Sequence, residues 1–194
     1  GLSDSDFQRK KLNLVIVMDT SGSMNEDYNR YYYDGAGHLR DIYTEEGIAG
    51  AKKIESAKQA VLAILDQLKD GDRFSIVQFN SNASLIQAME STGQADMSSI
   101  KNRISRIIAG GSTNLGAGLD LASQQYRDLY EQDNYEYENR IIVLTDAQPN
   151  TGDYSGSGFV KRIQDNADRR VYTTFIGVGV DFNTQLIELV TKTR

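Results

Sequence analysis

Asp19, Ser21 and Ser23 place one carboxylate and two hydroxyls at alternate positions of the run Asp19-Thr20-Ser21-Gly22-Ser23-Met24. In a tight turn leaving a strand end, that spacing aims the three oxygens one way. Gly22 permits the backbone geometry and keeps bulk out of the site. Hard oxygen donors set this close together suit Mg²⁺, Ca²⁺ or Mn²⁺, whereas zinc prefers nitrogen and sulfur. The bland alternative is an ordinary polar strand-to-helix turn in which Asp19 acts as a cap. The turn does not stand alone, however. Gly110-Gly111-Ser112-Thr113-Asn114 carries a threonine in a glycine-rich loop, and Ile141-Ile142-Val143-Leu144-Thr145-Asp146 ends on a second carboxylate.

The elements that must hold these turns are legible in the hydrophobic pattern. Residues 12–18 form an apolar, β-branched run that reads as a buried parallel strand. Residues 51–69 carry Ile54, Ala57, Val61, Ile64, Leu65 and Leu68 on one helical stripe, with Lys52, Lys53, Glu55, Gln59 and Asp66 outside it. Asp70-Gly71-Asp72 ends that helix, with Gly71 as a left-handed cap. Residues 73–79 and 83–89 read as strands joined by the Asn80-Ser81-Asn82 turn and therefore antiparallel. Helices are expected over 96–108, on Ile100, Ile104, Ile107 and Ile108, and over 115–131, on Leu119, Ala122, Tyr126 and Leu129. A central strand over 140–145, a loop over 148–153, a helix over 158–169, a strand over 171–178 and a last helix over 183–192 complete the chain.

This alternation predicts an α/β fold: three layers, doubly wound and Rossmann-like, with a mostly parallel sheet and one short antiparallel edge strand. Residues 12–18 and 141–144 are expected side by side at its centre. In such sheets ligands bind outside the carboxyl ends of strands, at a switch in strand order. Asp19 and Asp146 each follow a strand end of that kind.

Together the three turns resemble the metal-ion-dependent adhesion site of the von Willebrand factor A (vWA) domain, whose first motif is Asp-x-Ser-x-Ser. The similarity runs over nearly the whole chain, and the three motifs come in the family's order. The resemblance implies that Asp19, Ser21, Ser23, Thr113 and Asp146 surround one Mg²⁺, Ca²⁺ or Mn²⁺, some directly and some through water. Ala147 stands where the family often has glycine, a small departure. Residues 1–11 read as a polar linker and 12–194 as the vWA domain, with 25–50 a tyrosine-rich loop insertion at the metal face. The family fold usually ends with a further strand and helix, whereas this chain stops at Arg194 within a helical pattern. That leaves two expectations open: a shortened chain, or a version with five main strands and one short edge.

Composition narrows the function classes. At 194 residues the chain suits one α/β domain. A net charge of −6 and the lack of a long Lys/Arg run argue against nucleic acid as a partner. No apolar run approaches the roughly 20 residues needed to cross a bilayer. Zero cysteines exclude disulfides and thiol chemistry. A phosphatase of the haloacid dehalogenase type wants a second Asp where Ser21 stands. The glycine-rich stretches lack the lysine of a phosphate-binding loop, no Gly-x-Ser-x-Gly elbow occurs, and Gly177-Val178-Gly179 lacks a dinucleotide fingerprint's third glycine. His38, the single histidine, lies in the tyrosine-rich loop. An enzyme is therefore not expected, a Mg²⁺-dependent hydrolase being the catalytic reading hardest to dismiss.

The expected function is a metal-dependent protein-binding or adhesion module, in which a partner's Asp or Glu carboxylate completes the coordination. The partner is a separate protein or a neighbouring domain of the same protein. Tyr28, Tyr31, Tyr32, Tyr33 and Asn150 are candidates for contacting it, since tyrosine buries area at low entropic cost while offering a hydroxyl. The alternative is a structural spacer within a larger surface protein. The resemblance implies an extracellular or surface-anchored setting more often than a cytosolic one.

Overall fold

The apolar run expected as a buried strand is β1, Lys11–Asp19, in a computed structural model that describes residues 9–27, 31–33, 39–41, 52–127, 129, 136–146 and 156–179. A single 3₁₀ turn, Gly22–Asn25, follows it. Two three-residue strands, β2 (Tyr31–Tyr33) and β3 (Leu39–Asp41), then pair antiparallel. The helices and remaining strands are α1 (Lys53–Asp66), β4 (Arg73–Phe79), β5 (Ala83–Ser91), α2 (Met97–Ser105), α3 (Leu115–Gln124), β6 (Tyr137–Thr145), α4 (Gly156–Asp168) and β7 (Val171–Gly177).

The main sheet has the order β5-β4-β1-β6-β7. All its pairings are parallel except β4 with β5. β1 therefore lies at the centre against β6, with Val15 opposite Ile141 and Val17 opposite Val143, as the sequence predicts. Side chains alternate across a strand, and β1 divides its residues accordingly. Leu14, Ile16 and Met18 enter one core with Ile54, Ala57, Val61 and Leu65 of α1 and Ile100 and Ile104 of α2. Val15 and Val17 enter the other, with Leu115, Leu119 and Ala122 of α3 and Phe159 of α4. A strand covered on both faces needs an unbroken apolar run, which is what residues 14–18 supply.

The chain leaves β1 for β4 on one side and later returns to β6 on the other. The ends of β1 and β6 thus flank a reversal of strand order, where an open α/β sheet leaves a crevice.

Several expectations need correction. The region 25–50 is not simply loop, since β2 and β3 pair within it. α1 ends at Asp66, and Gly71, at φ 85°, serves the later turn. α3 ends at Gln124, before Tyr126. The Tyr126 hydroxyl donates to the carbonyls of Asn13 and Arg140 in β1 and β6, at 3.0 and 2.6 Å, so this buried residue serves the sheet from beyond the helix. The antiparallel edge strand is longer than expected, reaching Ser91. Lys53 lies on the buried side of α1. The expected loop at 148–153 and helix at 183–192 lie outside the described residues.

At the opposite end of the sheet, buried Asp72 fastens the start of β1. Its carboxylate accepts from the Leu12 N–H at 2.9 Å, the Lys69 N–H at 2.8 Å and the Arg9 guanidinium at 2.7 Å. Burial opposes ionisation most strongly, yet these donors together hold the carboxyl below its ordinary range. A depressed carboxylate stabilises the fold above its unfolded pKa, and that contribution disappears as pH falls through the folded value. Asp72→Asn is expected to lose about 2 kcal/mol at pH 7. In denaturant melts the gap from wild type should close as pH falls below about 4; a gap independent of pH would show that the charge is not what fastens the strand.

Candidate metal centre

Asp19 is the last residue of β1, and its carboxylate is buried. Oδ1 accepts the Ser21 N–H at 2.8 Å, and Oδ2 accepts the Thr145 hydroxyl at 2.6 Å. Burial dominates this group and raises its pKa above the usual carboxylate range. The bonds from Ser21 and Thr145 oppose that rise, and the nearby Asp146 carboxylate adds to it.

Asp146 follows β6 and is equally buried. Its Oδ1 accepts the Ser23 hydroxyl at 3.1 Å, and the Ser23 and Ser21 hydroxyl oxygens stand 3.2 Å apart. The alternate spacing of the first motif therefore does bring its hydroxyls onto one side. Below them the fully buried Met24 enters the core shared with α1, anchoring the turn from beneath.

Thr113 is buried on the loop between α2 and α3. That loop is joined to the first motif through backbone groups. The Gly22 N–H donates to the Gly111 carbonyl at 2.9 Å, and the Gly110 N–H to the Thr20 carbonyl at 2.8 Å. The Thr20 N–H reaches the Phe79 carbonyl at the end of β4, and the Asn114 N–H reaches that of Asn80, at 2.8 and 2.7 Å. Gly111 sits at φ 85°, and a Cβ there would stand 2.9 Å from Ser81 Oγ, so both conformation and space require glycine. Asn114 caps α3 by accepting the Ala117 N–H at 3.1 Å.

Two participants escaped the sequence reading. Thr145 carried a signal, a hydroxyl interrupting an apolar strand immediately before Asp146. Lys53 is the larger omission. Its side chain is only 2% exposed, and Nζ donates to Asp146 Oδ2 at 3.3 Å and to Glu26 Oε2 at 3.0 Å. Burial, the largest influence, would lower its pKa, but Glu26 and Asp146 outweigh it and the pKa is raised. Gly179, at φ 100°, makes room for the stem, since a Cβ there would lie 3.0 Å from Lys53 Cε.

Asp19, Ser21, Ser23 and Asp146 are thus linked at one rim, with Thr113 on a loop fastened to it. Tyr31, Tyr32 and Tyr33 form β2; Tyr28 and Asn150 lie outside the described residues. Beside Thr20 runs a groove of about 390 Å³ lined by Asn80, Ile86, Arg106 and Ile108, the last 87% exposed.

Among the described residues no group of three or more His, Cys, Asp or Glu gathers. The rim instead offers the Asp19 and Asp146 carboxylates and the Ser21 and Ser23 hydroxyls, with Thr113 on the adjoining loop, all hard donors. The raised pKa of Asp19 marks a buried carboxylate short of positive charge, which a cation would supply. The donor set and its electrostatics fit a hard divalent ion.

The profile of the von Willebrand factor type A domain matches residues 14–148, more than half of the chain. The chain belongs to this family. Membership places it among non-catalytic domains, the side on which the sequence reading also falls. The pig inter-alpha-trypsin inhibitor heavy chain H1 is 30% identical over 146 residues, covering 71% of this chain but 16% of that protein. The vWA domain therefore corresponds to a small part of such relatives. Manganese-loaded Plasmodium vivax TRAP protein superposes with a TM-score of 0.64 at 16% identity, over 95% of this chain and 64% of that one. Proximal thread matrix protein 1 of the mussel byssus, with a zinc-occupied MIDAS motif, gives 0.65 at 18% identity, over 93% of this chain and 41% of that one. At such identities the superpositions establish the shared fold.

A raised carboxylate pKa has a definite sign in stability. Between the unfolded and folded values the native state binds more protons, so stability falls as pH rises through that window. In metal-free protein, Asp19→Asn should remove this penalty and raise Tm at pH 7 by roughly 2–4 °C. A lower Tm in chelator would mean that the bonds to Ser21 and Thr145 outweigh the burial of the charge.

Proposed function

We propose that this vWA domain is a divalent-cation-dependent protein-binding module, with Asp19, Ser21, Ser23, Thr113 and Asp146 holding the ion. The observation that carries this reading is the line of contacts Ser21–Ser23–Asp146, set beside the buried Asp19 where strand order reverses. When bound, Mg²⁺, Ca²⁺ or Mn²⁺ supplies a coordination position open to an oxygen of the partner. These five side chains do not saturate such an ion if some of them act through water, so an Asp or Glu carboxylate can complete the shell. Loops around the rim then select the partner, and the groove beside Thr20, with the exposed Ile108, offers contact area. Manganese in one structural neighbour and zinc in another support metal occupancy of the fold.

The partner is a protein or a neighbouring domain presenting a carboxylate, and the setting is extracellular or at the cell surface. No helix among the described residues is long and apolar enough to cross a membrane. A second reading, a structural spacer, is favoured by one observation: Lys53 already gives Asp146 a cationic partner without metal.

Calorimetric titration with Mg²⁺ or Mn²⁺ should give one site in the wild type and none in Asp19→Ala. Metal should also raise Tm by mass action. In pull-downs from native material, capture of a partner should disappear in chelator and in Thr113→Ala. It should fall when residues 25–50 are replaced by a short Gly/Ser linker. Metal binding without chelator-sensitive capture would favour the spacer, whereas capture unaffected by all three changes would place the contact elsewhere.

A further inference from the structure

We propose that Lys53 is a resident counter-cation of the candidate metal centre: it weakens divalent-ion binding and leaves the loaded centre with the positive charge that attracts a carboxylate. This rests on the metal-binding reading above and explains how the centre could prefer an anionic partner.

The charge balance motivates it. Asp19 and Asp146 together would cancel a divalent ion, leaving little field to draw in a further carboxylate. The Lys53 ammonium, bonded to Asp146 within the same buried rim, restores one positive charge. Glu26 also faces Lys53, but its side chain is 61% exposed, so water screens its charge far more than that of Asp146.

The position is specific and costly. Lys53 opens the first turn of α1, where the positive end of the helix dipole disfavours a cation. Its ammonium is desolvated, and its stem packs so closely on Gly179 that a Cβ there would stand 3.0 Å from Cε. Neighbouring Lys52 is exposed instead and donates to Asn25 Oδ1 at 2.8 Å. The two oxygens of Asp146 are divided between Lys53 on Oδ2 and Ser23 on Oδ1. Lys53 thus meets the carboxylate on the oxygen not used by the first motif, neutralising it without displacing the hydroxyl.

The competing role is purely geometric: Lys53 would only orient Asp146. The two roles predict opposite signs. If Lys53 acts through charge, Lys53→Met strengthens metal binding; if it only orients, the same change weakens it. Calorimetric titration of Mg²⁺ and Mn²⁺ into wild type, Lys53→Met, Glu26→Gln and the double variant separates them, with Asp19→Ala as the blank.

The expected result is roughly tenfold tighter binding in Lys53→Met. Its Tm in chelator should be lower and its gain in Tm on metal addition larger than wild type. Glu26→Gln should bind metal severalfold more weakly, because one counter-charge to the ammonium is removed, and this loss should shrink in the double variant. Wild type silent but Lys53→Met binding metal would show the ammonium opposing the ion with no loaded centre in the wild type, and would overturn the part of the proposal in which that centre draws in a carboxylate. Equal or weaker binding in Lys53→Met, with wild type competent, overturns the counter-cation role alone. Silence in both overturns the metal-binding reading and this inference with it. If Lys53→Met does not fold, Glu26→Gln decides, and unchanged affinity there overturns the proposal.

Discussion

Two carboxylates stand buried at the ends of neighbouring parallel strands, and the upper rim of this domain is an answer to that constraint. Like charges removed from water are costly unless donors or a counter-charge accompany them. Asp19 receives the Ser21 amide and the Thr145 hydroxyl; Asp146 receives the Ser23 hydroxyl and the Lys53 ammonium. The donors come from the turn after β1, from α1 and from β6, elements far apart in the chain. The two cores fix those elements by packing the alternate residues of β1 against opposite helix layers. The fold therefore positions the charges, and the charges dictate which polar groups the rim must contain.

Much of this was readable in the sequence. Unbroken apolar runs revealed the central strands because a strand buried on both faces leaves no other pattern available. β4 has the bounds that its composition suggests, and the pairing of β1 with β6 follows from the same logic. The first motif announced its own geometry, since alternate spacing and a central glycine are local properties. Asp146 was legible because it terminates an apolar run.

What escaped was non-local. Lys53 looked like a solvated charge beside Lys52, although it stands one helical turn before Ala57 and two before Val61 on the buried stripe. Its partner Asp146 is 93 positions away, and no spacing rule connects the two. β2 and β3 are too short to show alternation, so their pairing left no periodic trace. Tyr126 followed the helical period past the end of α3 because its task is set by carbonyls of β1 and β6. Periodicity finds residues that pack; it does not find those recruited by a distant charge.

The joints between the first motif, the Thr113 loop and the end of β4 run largely from main chain to main chain, joined by the Thr20 hydroxyl on the Phe79 carbonyl and the Ser112 N–H on Ser81 Oγ. The main-chain joints do not read side-chain identity. Ser81 is the exception, its hydroxyl accepting the Ser112 N–H at 3.1 Å and standing 2.9 Å from where a Cβ on Gly111 would lie. The rim is a socket whose frame is set chiefly by backbone, so substitutions that face out of it leave its path intact.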